Sequence, residues 1–483
     1  MLFHTWVFLV FFLIVYPVHL LLRRTRYMSL WLMIASYFFY GWWNPWYLLV
    51  LFGTSAIDYL MVLLMERSET QRGRRLWLII SLVSNFGFLG YFKYSGFITE
   101  NINALFAWAG LSLHLPDPVT YPNALLSFLG VPPKLEFTGV LLPIGISFHT
   151  FQSMSYTIDA YLGHIRMERS FVRFLAFVSF FPQLVAGPIE RASNLLPQLG
   201  TIPRIARDDI AAGLSLFLVG FFKKVALADY LALYVDQVYA APAQFAAPAL
   251  LLATFAFAWQ IYFDFSGYTD MARGIARLLG FRLMRNFNNP YTATGLGDFW
   301  NRWHISLSTW FKDYLYIPLG GNRGGTARTY LNMCLTMVIS GLWHGAVWTF
   351  VIWGALHAAG RVITRELERK PFYRDRVPAF AKQAGVFAFV CLAWIFFRAR
   401  SLSDAWTVVT GIFVSGWADP RFPLLAALLI AAVWVYQLIY SGGSRLARAL
   451  ELAPVRVGLA GAMIAYLLII AQPSTKAFIY FQF

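Results

Sequence analysis

Two histidines, His304 and His344, have the residue type and the surroundings that best suit catalysis. Both stand in the stretch from Asp298 to Ala346, whose other members are largely apolar or aromatic. An imidazole with an unperturbed pKa of about 6.5 accepts and returns a proton near neutral pH. Placing a polar side chain in an apolar segment costs free energy, so its presence there indicates a function. We therefore predict that these two histidines form the reactive centre.

The histidine pair suits acyl transfer from a thioester to a hydroxyl group. That reaction needs a base for the hydroxyl proton and help for the carbonyl oxygen as it gains negative charge. We assign the base to His344, and the positioning of the thioester or stabilisation of the oxyanion to His304 or to Asn301 beside it. The reverse assignment of the two histidines stays open. The chemistry requires no metal, and the sequence contains no GxSxG motif for a serine nucleophile.

The other six histidines carry no comparable signal. A lone histidine in a membrane helix more often makes a hydrogen bond between helices than it does chemistry. His357 follows His344 by thirteen residues, which on one continuous helix corresponds to about 220° around the axis. These two residues are therefore not expected to share a face.

Polar and aromatic residues near the pair are predicted to line a cavity. The segment that follows Asp298 is amphipathic and too polar to face lipid, so it should lie in the interface or against an internal pocket. Glycines flank the Trp343–His344 pair and permit the close approach of a substrate. The predicted lining residues are Asn301, Trp303, Ser306, Trp343, Asp264 and Tyr268.

Four arginines lie in the chain between Tyr268 and Asn301, at positions 273, 277, 282 and 285. Arg273 and Arg277 are four residues apart and share one helical face. Guanidinium groups pair well with phosphate, so Arg273, Arg277, Arg282 and Arg285 are candidates for a basic collar that binds coenzyme A at the cytoplasmic mouth of a cavity. Arginines at the interfacial end of a helix would give the same pattern.

The composition of the chain is that of a polytopic membrane protein. Hydrophobic residues make up 59% of its 483 residues and charged residues 13%, compared with about 45–50% and 25% in soluble domains. A net charge of +16 would also fit nucleic-acid binding. Lys and Arg concentrate instead in short loops between apolar segments, which is typical of cytoplasmic loops. Membrane lipid is therefore the expected surrounding, and no nucleic-acid partner is expected.

Apolar segments recur along the whole chain, at about the 20 residues that a spanning helix needs. They predict an all-α bundle of ten to twelve crossings with additional re-entrant or interfacial helices. Pro45 divides the segment 27–65 into two crossings, which places the basic loops at Arg23 and at 67–75 in the cytoplasm. The segment 331–363 has room for two helices, and a basic stretch after 171–185 favours a re-entrant pair. We expect a single domain over 1–483 with its catalytic core at 138–365.

Several long motifs resemble those of the membrane-bound O-acyltransferase family, most closely its bacterial alginate O-acetyltransferase branch. They are FDFSGYTDMARGIARLLGF, RWHISLSTWFKDYLYIPLGGNR and SGLWHGA, preceded by LPIGISFHTFQSMSYTID and followed by FIYFQF. The resemblance implies a multi-helix bundle with a central tunnel, in which an acyl group from a cytoplasmic thioester reaches an acceptor at the outer face. The family's two histidines correspond to His344 and His304.

The resemblance also implies a donor, a location and partners. The donor substrate would be acetyl-CoA or an acyl-carrier thioester, with no permanently bound cofactor. The protein would lie in the bacterial inner membrane and act with a periplasmic acetyltransferase on an alginate-like exopolysaccharide. Peptidoglycan O-acetylation and teichoic acid D-alanylation are alternatives within the family. A multi-pass transporter, for which inverted repeats would be evidence, and a secretion scaffold are the alternatives outside it.

Overall fold

Helices account for the regular structure throughout the described part of the chain. The structure is a computed structural model that describes residues 1–116, 118, 145–441, 445–469 and 478–479, and no β-strand occurs among them. The α-helices of these residues, numbered in chain order, are α1 Trp6–Leu22, α2 Met28–Gly41, α3 Tyr47–Arg67, α4 Gln71–Leu89, α5 Ser95–Trp108, α6 Ile146–Leu162, α7 Phe171–Ser179, α8 Phe181–Leu184, α9 Ala192–Leu199, α10 Arg207–Phe222, α11 Asp229–Ala240, α12 Ala247–Leu278, α13 Leu296–Trp300, α14 Ile305–Phe311, α15 Gly325–His344, α16 Trp348–Arg369, α17 Ala379–Arg398, α18 Leu402–Val414, α19 Leu424–Ser441, α20 Arg445–Leu450 and α21 Ala453–Ile469.

Short π-helical turns are inserted at four places among these helices, namely Gly90–Tyr94, Lys223–Ala228, Lys312–Tyr316 and Phe372–Arg376. A π turn adds one residue to a helical turn and so changes the direction of the side chains around it, and such turns are frequent at functional sites. The first of them carries Lys93, and the second carries Lys223 and Lys224.

Five helical segments of the described residues are long and apolar enough to cross a membrane. They are Tyr47–Arg67, Gln71–Trp108, Arg207–Ala240, Ala247–Leu278 and Ala379–Arg398. Shorter apolar helices of 10–17 residues accompany them, α1 and α2 among these. This architecture confirms the predicted all-α class, whereas ten to twelve crossings and a central tunnel stay predictions.

The predicted breaks between helices occur where the sequence indicated them. Segment 27–65 divides into α2 and α3, with Pro45 in the connection, and segment 331–363 is divided between α15 and α16. Segment 171–185 forms the two short helices α7 and α8, and their predicted re-entrant position in the membrane stays a prediction. The first residues of the expected catalytic core, 138–144, and the end of the FIYFQF motif, 480–483, lie outside the described residues.

Helix α12 is the central element, since 78% of its most apolar stretch is buried, compared with 17–39% in the other candidate spans. It packs closely against α10 through paired glycines. A Cβ on Gly220 would lie 2.5 Å from the carbonyl oxygen of Gly267, and a Cβ on Gly274 would lie 2.6 Å from that of Gly213. Small residues allow membrane helices to approach closely, so these glycines hold α12 in the core.

Helices α15 and α16 form a tight hairpin that presents His344 at its tip. A Cβ on Gly354 of α16 would lie 2.5 Å from the carbonyl oxygen of Met337 on α15. The chain then reverses over three residues, 345–347, and a Cβ on Gly345 would collide with the ring of Phe350. The glycines of SGLWHGA therefore serve the packing of this hairpin.

Candidate active site

His304 precedes the short helix α14 with its backbone in the left-handed region. Its φ is 43° and its ψ is 54°, and residues other than glycine adopt such a conformation at a cost of about 1–3 kcal/mol. The side chain is fully buried. Strain of this kind persists only where surrounding contacts hold it, and it is concentrated at functional sites.

Asn286 holds the backbone beside His304 in place. Its side-chain oxygen accepts hydrogen bonds from the N–H and the hydroxyl of Ser306, at 3.1 and 2.8 Å. Its carbonyl oxygen accepts from the N–H of Ile305 at 2.9 Å. The Ser306 hydroxyl lies 3.4 Å from His304 Nδ1, so the predicted lining residue Ser306 lies beside the imidazole. Sequence analysis missed Asn286, although the polar run RNFNNP interrupts apolar surroundings there.

His344 is the last residue of α15, with only 5% of its surface exposed. Its ring packs edge-on against Trp343, Trp353 and Phe397, at centroid separations of 5.0, 5.1 and 5.2 Å. An aromatic wall of this kind excludes water. Electrostatic interactions with a bound substrate are therefore stronger here than at the protein surface.

The indole of Trp343 connects the two histidines. Its centroid lies 6.2 Å from that of His304 and 5.0 Å from that of His344. Phe148, from the first turn of α6, packs against both Trp343 and His304 at 5.3 and 6.1 Å. The structure thus brings together both predicted catalytic residues and the predicted lining residue Trp343.

Lys93 contacts the same region from α4 and its π turn. Its amine donates hydrogen bonds to the carbonyl oxygens of Trp343 and His344, at 2.5 and 3.1 Å, and lies 5.7 Å from the indole centroid of Trp343. The neighbouring Tyr94 hydroxyl donates to the carbonyl oxygen of Leu342 at 3.0 Å. A lysine in an apolar span is a signal in itself, but nothing in the sequence shows which helix it contacts.

His357 belongs to this aromatic region as well. Its ring lies 4.7 Å from Trp353 and 5.0 Å from Trp300, and it is fully buried. Trp353 in turn packs against His344. The predicted angle of about 220° assumed one continuous helix, but α15 ends at His344 and His357 belongs to the returning helix α16.

Two other predicted lining residues, Trp303 and Asn301, lie just before His304 and have different surroundings. Trp303 is 1% exposed and packs against Phe287 and Trp394, both at 5.1 Å between centroids. Asn301, in contrast, is exposed at the end of α13. The structure therefore buries Trp303 next to His304 and does not bring Asn301 into the aromatic region.

Asp264 and Tyr268 lie on another side of α12, against the C-terminal residues. Lys224 donates to Asp264 at 2.5 Å, and the N–H of Ile479 donates to its second oxygen at 2.6 Å. The ring of Tyr268 packs at 4.4 Å from that of Phe478. The contact between α12 and His304 comes from a different residue, Phe265, at 4.6 Å, since successive helical residues are about 100° apart.

The four predicted collar arginines are grouped at the end of α12 and in the segment after it. Arg277 and Arg282 both contact Asp209, at 3.1 and 3.4 Å, and Arg273 lies 3.6 Å from Asp270. Arg285 donates to the carbonyl oxygen of Phe287 at 2.7 Å. Carboxylates therefore neutralise part of this basic group, while Arg282 and Arg285 are exposed.

Comparisons with known proteins identify relatives that match most of the chain. The model of the membrane-bound O-acyltransferase family matches residues 3–403. A probable alginate O-acetylase AlgI of Pseudomonas aeruginosa is 41% identical over 417 residues, which cover 86% of this chain and 75% of that protein. A peptidoglycan O-acetyltransferase of Helicobacter pylori is 36% identical, over 80% of this chain and 73% of that protein. A teichoic acid D-alanyltransferase of Bacillus subtilis is 28% identical, over 59% and 71%.

A family match over residues 3–403, which extends over most of the helices, favours catalysis over the transporter and scaffold alternatives. All three relatives are named for acyl transfer. Together with the apolar helices, the match indicates an integral multi-pass membrane protein that uses an acyl donor. The chain belongs to the membrane-bound O-acyltransferase family, and the protein is an O-acyltransferase.

Proposed function

We propose that this protein transfers acetyl groups from a cytoplasmic thioester for the O-acetylation of an exported polysaccharide, with alginate or a similar exopolysaccharide as the final acceptor. The observation that carries the proposal is the similarity, at 41% identity, to two proteins named as probable alginate O-acetylases. The protein acts in the bacterial cytoplasmic membrane. A periplasmic acetyltransferase partner receives the acetyl group and modifies the polymer.

In the proposed reaction, His344 is the general base. The acceptor's hydroxyl oxygen attacks the thioester carbonyl carbon while the imidazole takes the hydroxyl proton. The C–S bond then breaks, and the leaving thiolate takes up the proton that the imidazole held. His304 orients the thioester or stabilises the oxyanion. The contacts of both rings with Trp343 support joint action, and the reverse assignment of roles remains an alternative.

The two substrates approach from opposite sides of the membrane through a central tunnel in the proposed arrangement, with the catalytic core at 138–365. Acetyl-CoA or an acyl-carrier thioester supplies the acetyl group from the cytoplasm. The exposed Arg282 and Arg285, with Arg273 and Arg277 behind them, bind the phosphates of this donor, because guanidinium pairs readily with phosphate. Their grouping at the end of α12 and in the segment that follows it supports this role.

Peptidoglycan is a second candidate acceptor. The 36% identity to a peptidoglycan O-acetyltransferase supports it, because that relative is nearly as similar as those named for alginate. D-alanylation of teichoic acid has weaker support, since the corresponding relative is 28% identical and matches 59% of the chain. The experiment therefore compares label transfer to mannuronate oligosaccharides, which represent alginate, with label transfer to the glycan strands of peptidoglycan.

The experiment uses purified protein in liposomes together with the proposed periplasmic partner and labelled acetyl-CoA or labelled acyl-carrier protein, and it follows thiol release and label transfer to the partner and the acceptor. His344→Ala should lower the rate by about 10²- to 10⁴-fold, the range for the loss of a general base. The matched control is His164→Ala, because the His164 side chain is 66% exposed and pairs with Asp159. If folded His344→Ala protein transferred acetyl groups at the wild-type rate, His344 would not be the general base.

A further inference from the structure

A cavity lies away from the candidate active site, and we call it the basic pocket. It has a volume of about 560 Å³ and forms where the end of α3, the start of α4 and the connection between α6 and α7 meet. Its lining includes four arginines and two glutamates, a balance of +4 − 2 = +2. Its volume is in the range of about 300–1,000 Å³ that is typical of small-molecule sites.

The charges of the basic pocket are only partly neutralised. Arg173 forms an ion pair with Glu168 at 3.1 Å. Arg166 and Arg169 are exposed and form no ion pair with any of the described residues. Arg74 donates one hydrogen bond to a backbone carbonyl, while its buried Nε has no partner in the described part of the protein. The pocket therefore offers free guanidinium donors to an anion.

The remaining walls of the basic pocket are apolar. Val62 and Met65 of α3 are each 2% exposed, and Ile165 and Met167 belong to the connection after α6. Helix α3 is one of the candidate membrane spans, so the pocket lies at the end of a membrane-crossing helix. At the end of a membrane span, arginines can contact the phosphate headgroup of a lipid, while the neighbouring apolar side chains contact its acyl chains.

The basic pocket is too far from the histidines to share their substrate. Arg74 and Lys93 belong to one continuous helical segment, and nineteen residues at about 1.5 Å each separate them by roughly 28 Å along the axis. Lys93 contacts the backbone of His344. The pocket therefore lies near the start of this segment, whereas the candidate active site contacts its middle.

We propose that the basic pocket binds the phosphate headgroup of an anionic lipid, with Arg166 and Arg169 as the main phosphate contacts. The basic loop 67–75, which borders the pocket and is predicted to be cytoplasmic, is on the side where anionic lipid attracts arginine. This inference goes beyond acyl transfer and does not depend on the acceptor. A soluble phosphate compound offers the same anion, so the experiment separates the two sources.

The test measures the thermal unfolding midpoint of the detergent-purified protein during titration with dioctanoyl phosphatidylglycerol or dioctanoyl phosphatidylcholine. We expect a saturable rise with the anionic lipid alone. The double variant Arg166→Gln, Arg169→Gln should weaken the apparent affinity by about tenfold or more, the loss expected for a charged hydrogen bond. The matched control is Arg72→Gln, Arg75→Gln, because these exposed arginines in the first turns of α4 do not line the pocket.

Three results would overturn the proposal. The first is a rise in unfolding midpoint with phosphatidylcholine equal to that with phosphatidylglycerol. The second is a loss of affinity in the control variant equal to that in the Arg166→Gln, Arg169→Gln variant. The third is displacement of the anionic lipid by inorganic phosphate or acetyl-CoA at comparable concentrations. The pair Arg166→Lys, Arg169→Lys keeps the charge and should retain more affinity than the glutamine pair if a phosphate is bound. An equal loss in both pairs would also contradict binding through charge.

Discussion

The amine of Lys93 lies 3.1 Å from the carbonyl oxygen of His344. This hydrogen bond, with a second one to Trp343, joins α4 to the end of the helix that carries the proposed base. Carbonyl groups at a helix C-terminus have no partner within the helix and carry partial negative charge. Lys93 therefore stabilises the end of α15 and fixes the backbone from which the His344 imidazole projects.

Replacing Lys93 by methionine should lower the turnover number of acyl transfer by about tenfold to a hundredfold, because small displacements of a catalytic group have effects of this size. KM should change little, and Lys93→Arg should restore part of the rate. The matched control is Lys382→Met, since the Lys382 amine also donates to a backbone carbonyl but does so at the surface. Wild-type turnover in Lys93→Met would show that this contact does not position His344.

Asn286→Ala should reduce both activity and stability. It removes the acceptor of two hydrogen bonds from Ser306 and leaves buried donors unpaired beside the strained His304, at a cost of about 1–3 kcal/mol. Asn288→Ala is the matched control, because Asn288 accepts from Arg285 at an exposed position. Turnover and the thermal unfolding midpoint are measured for both variants. If Asn286→Ala and Asn288→Ala changed them equally, Asn286 would have no particular role in holding His304.

Gly220→Ala should lower the free energy of unfolding by about 1–3 kcal/mol, the usual effect of overpacking. The added Cβ would lie 2.5 Å from the Gly267 carbonyl oxygen and push α10 from α12. Gly87→Ala is the control, since a Cβ there meets no atom within 4 Å in the described structure. Thermal unfolding in detergent measures the difference. An unchanged midpoint for Gly220→Ala would mean that the two helices can separate freely.

Lys224→Met should destabilise the protein by about 3–5 kcal/mol, because it leaves the buried Asp264 without its cation. Adding Asp264→Asn should recover part of the loss. Arg374→Gln, which breaks the exposed pair with Asp375, should change little. Thermal unfolding distinguishes these cases. If Asp264 instead lines the substrate passage, Asp264→Asn alone would lower turnover while leaving the unfolding midpoint unchanged.

Local signals in the sequence predicted the helix breaks that the structure contains and pointed to the two histidines, whose catalytic roles stay predictions. His304 and His344 stand out because each is a titratable group in an apolar run, and Pro45 marks a helix break because proline cannot continue a helix. The division of 331–363 into two helices follows from its length. Trp343 and Ser306 adjoin the two histidines in the chain, so they were identified with them.

Contacts between distant segments could not be predicted in the same way. Lys93 meets His344 across 251 positions of the chain, and no local pattern indicates that pairing. The contact of His357 with Trp353 could not be predicted either, because the angle of about 220° assumed one continuous helix, whereas α15 ends at His344. Asn301 is three residues from His304 but exposed, since the chain turns between α13 and α14.

The most direct measurement is the rate of acetyl transfer by His304→Ala, His344→Ala and the double variant in the same liposomes. Residues that act together in one step have non-additive effects. We predict that each single variant loses most of the activity and that the double variant is no slower than the slower single one. Wild-type transfer in either folded single variant, or a double variant whose loss is the product of the single losses, would contradict joint catalysis by the two histidines.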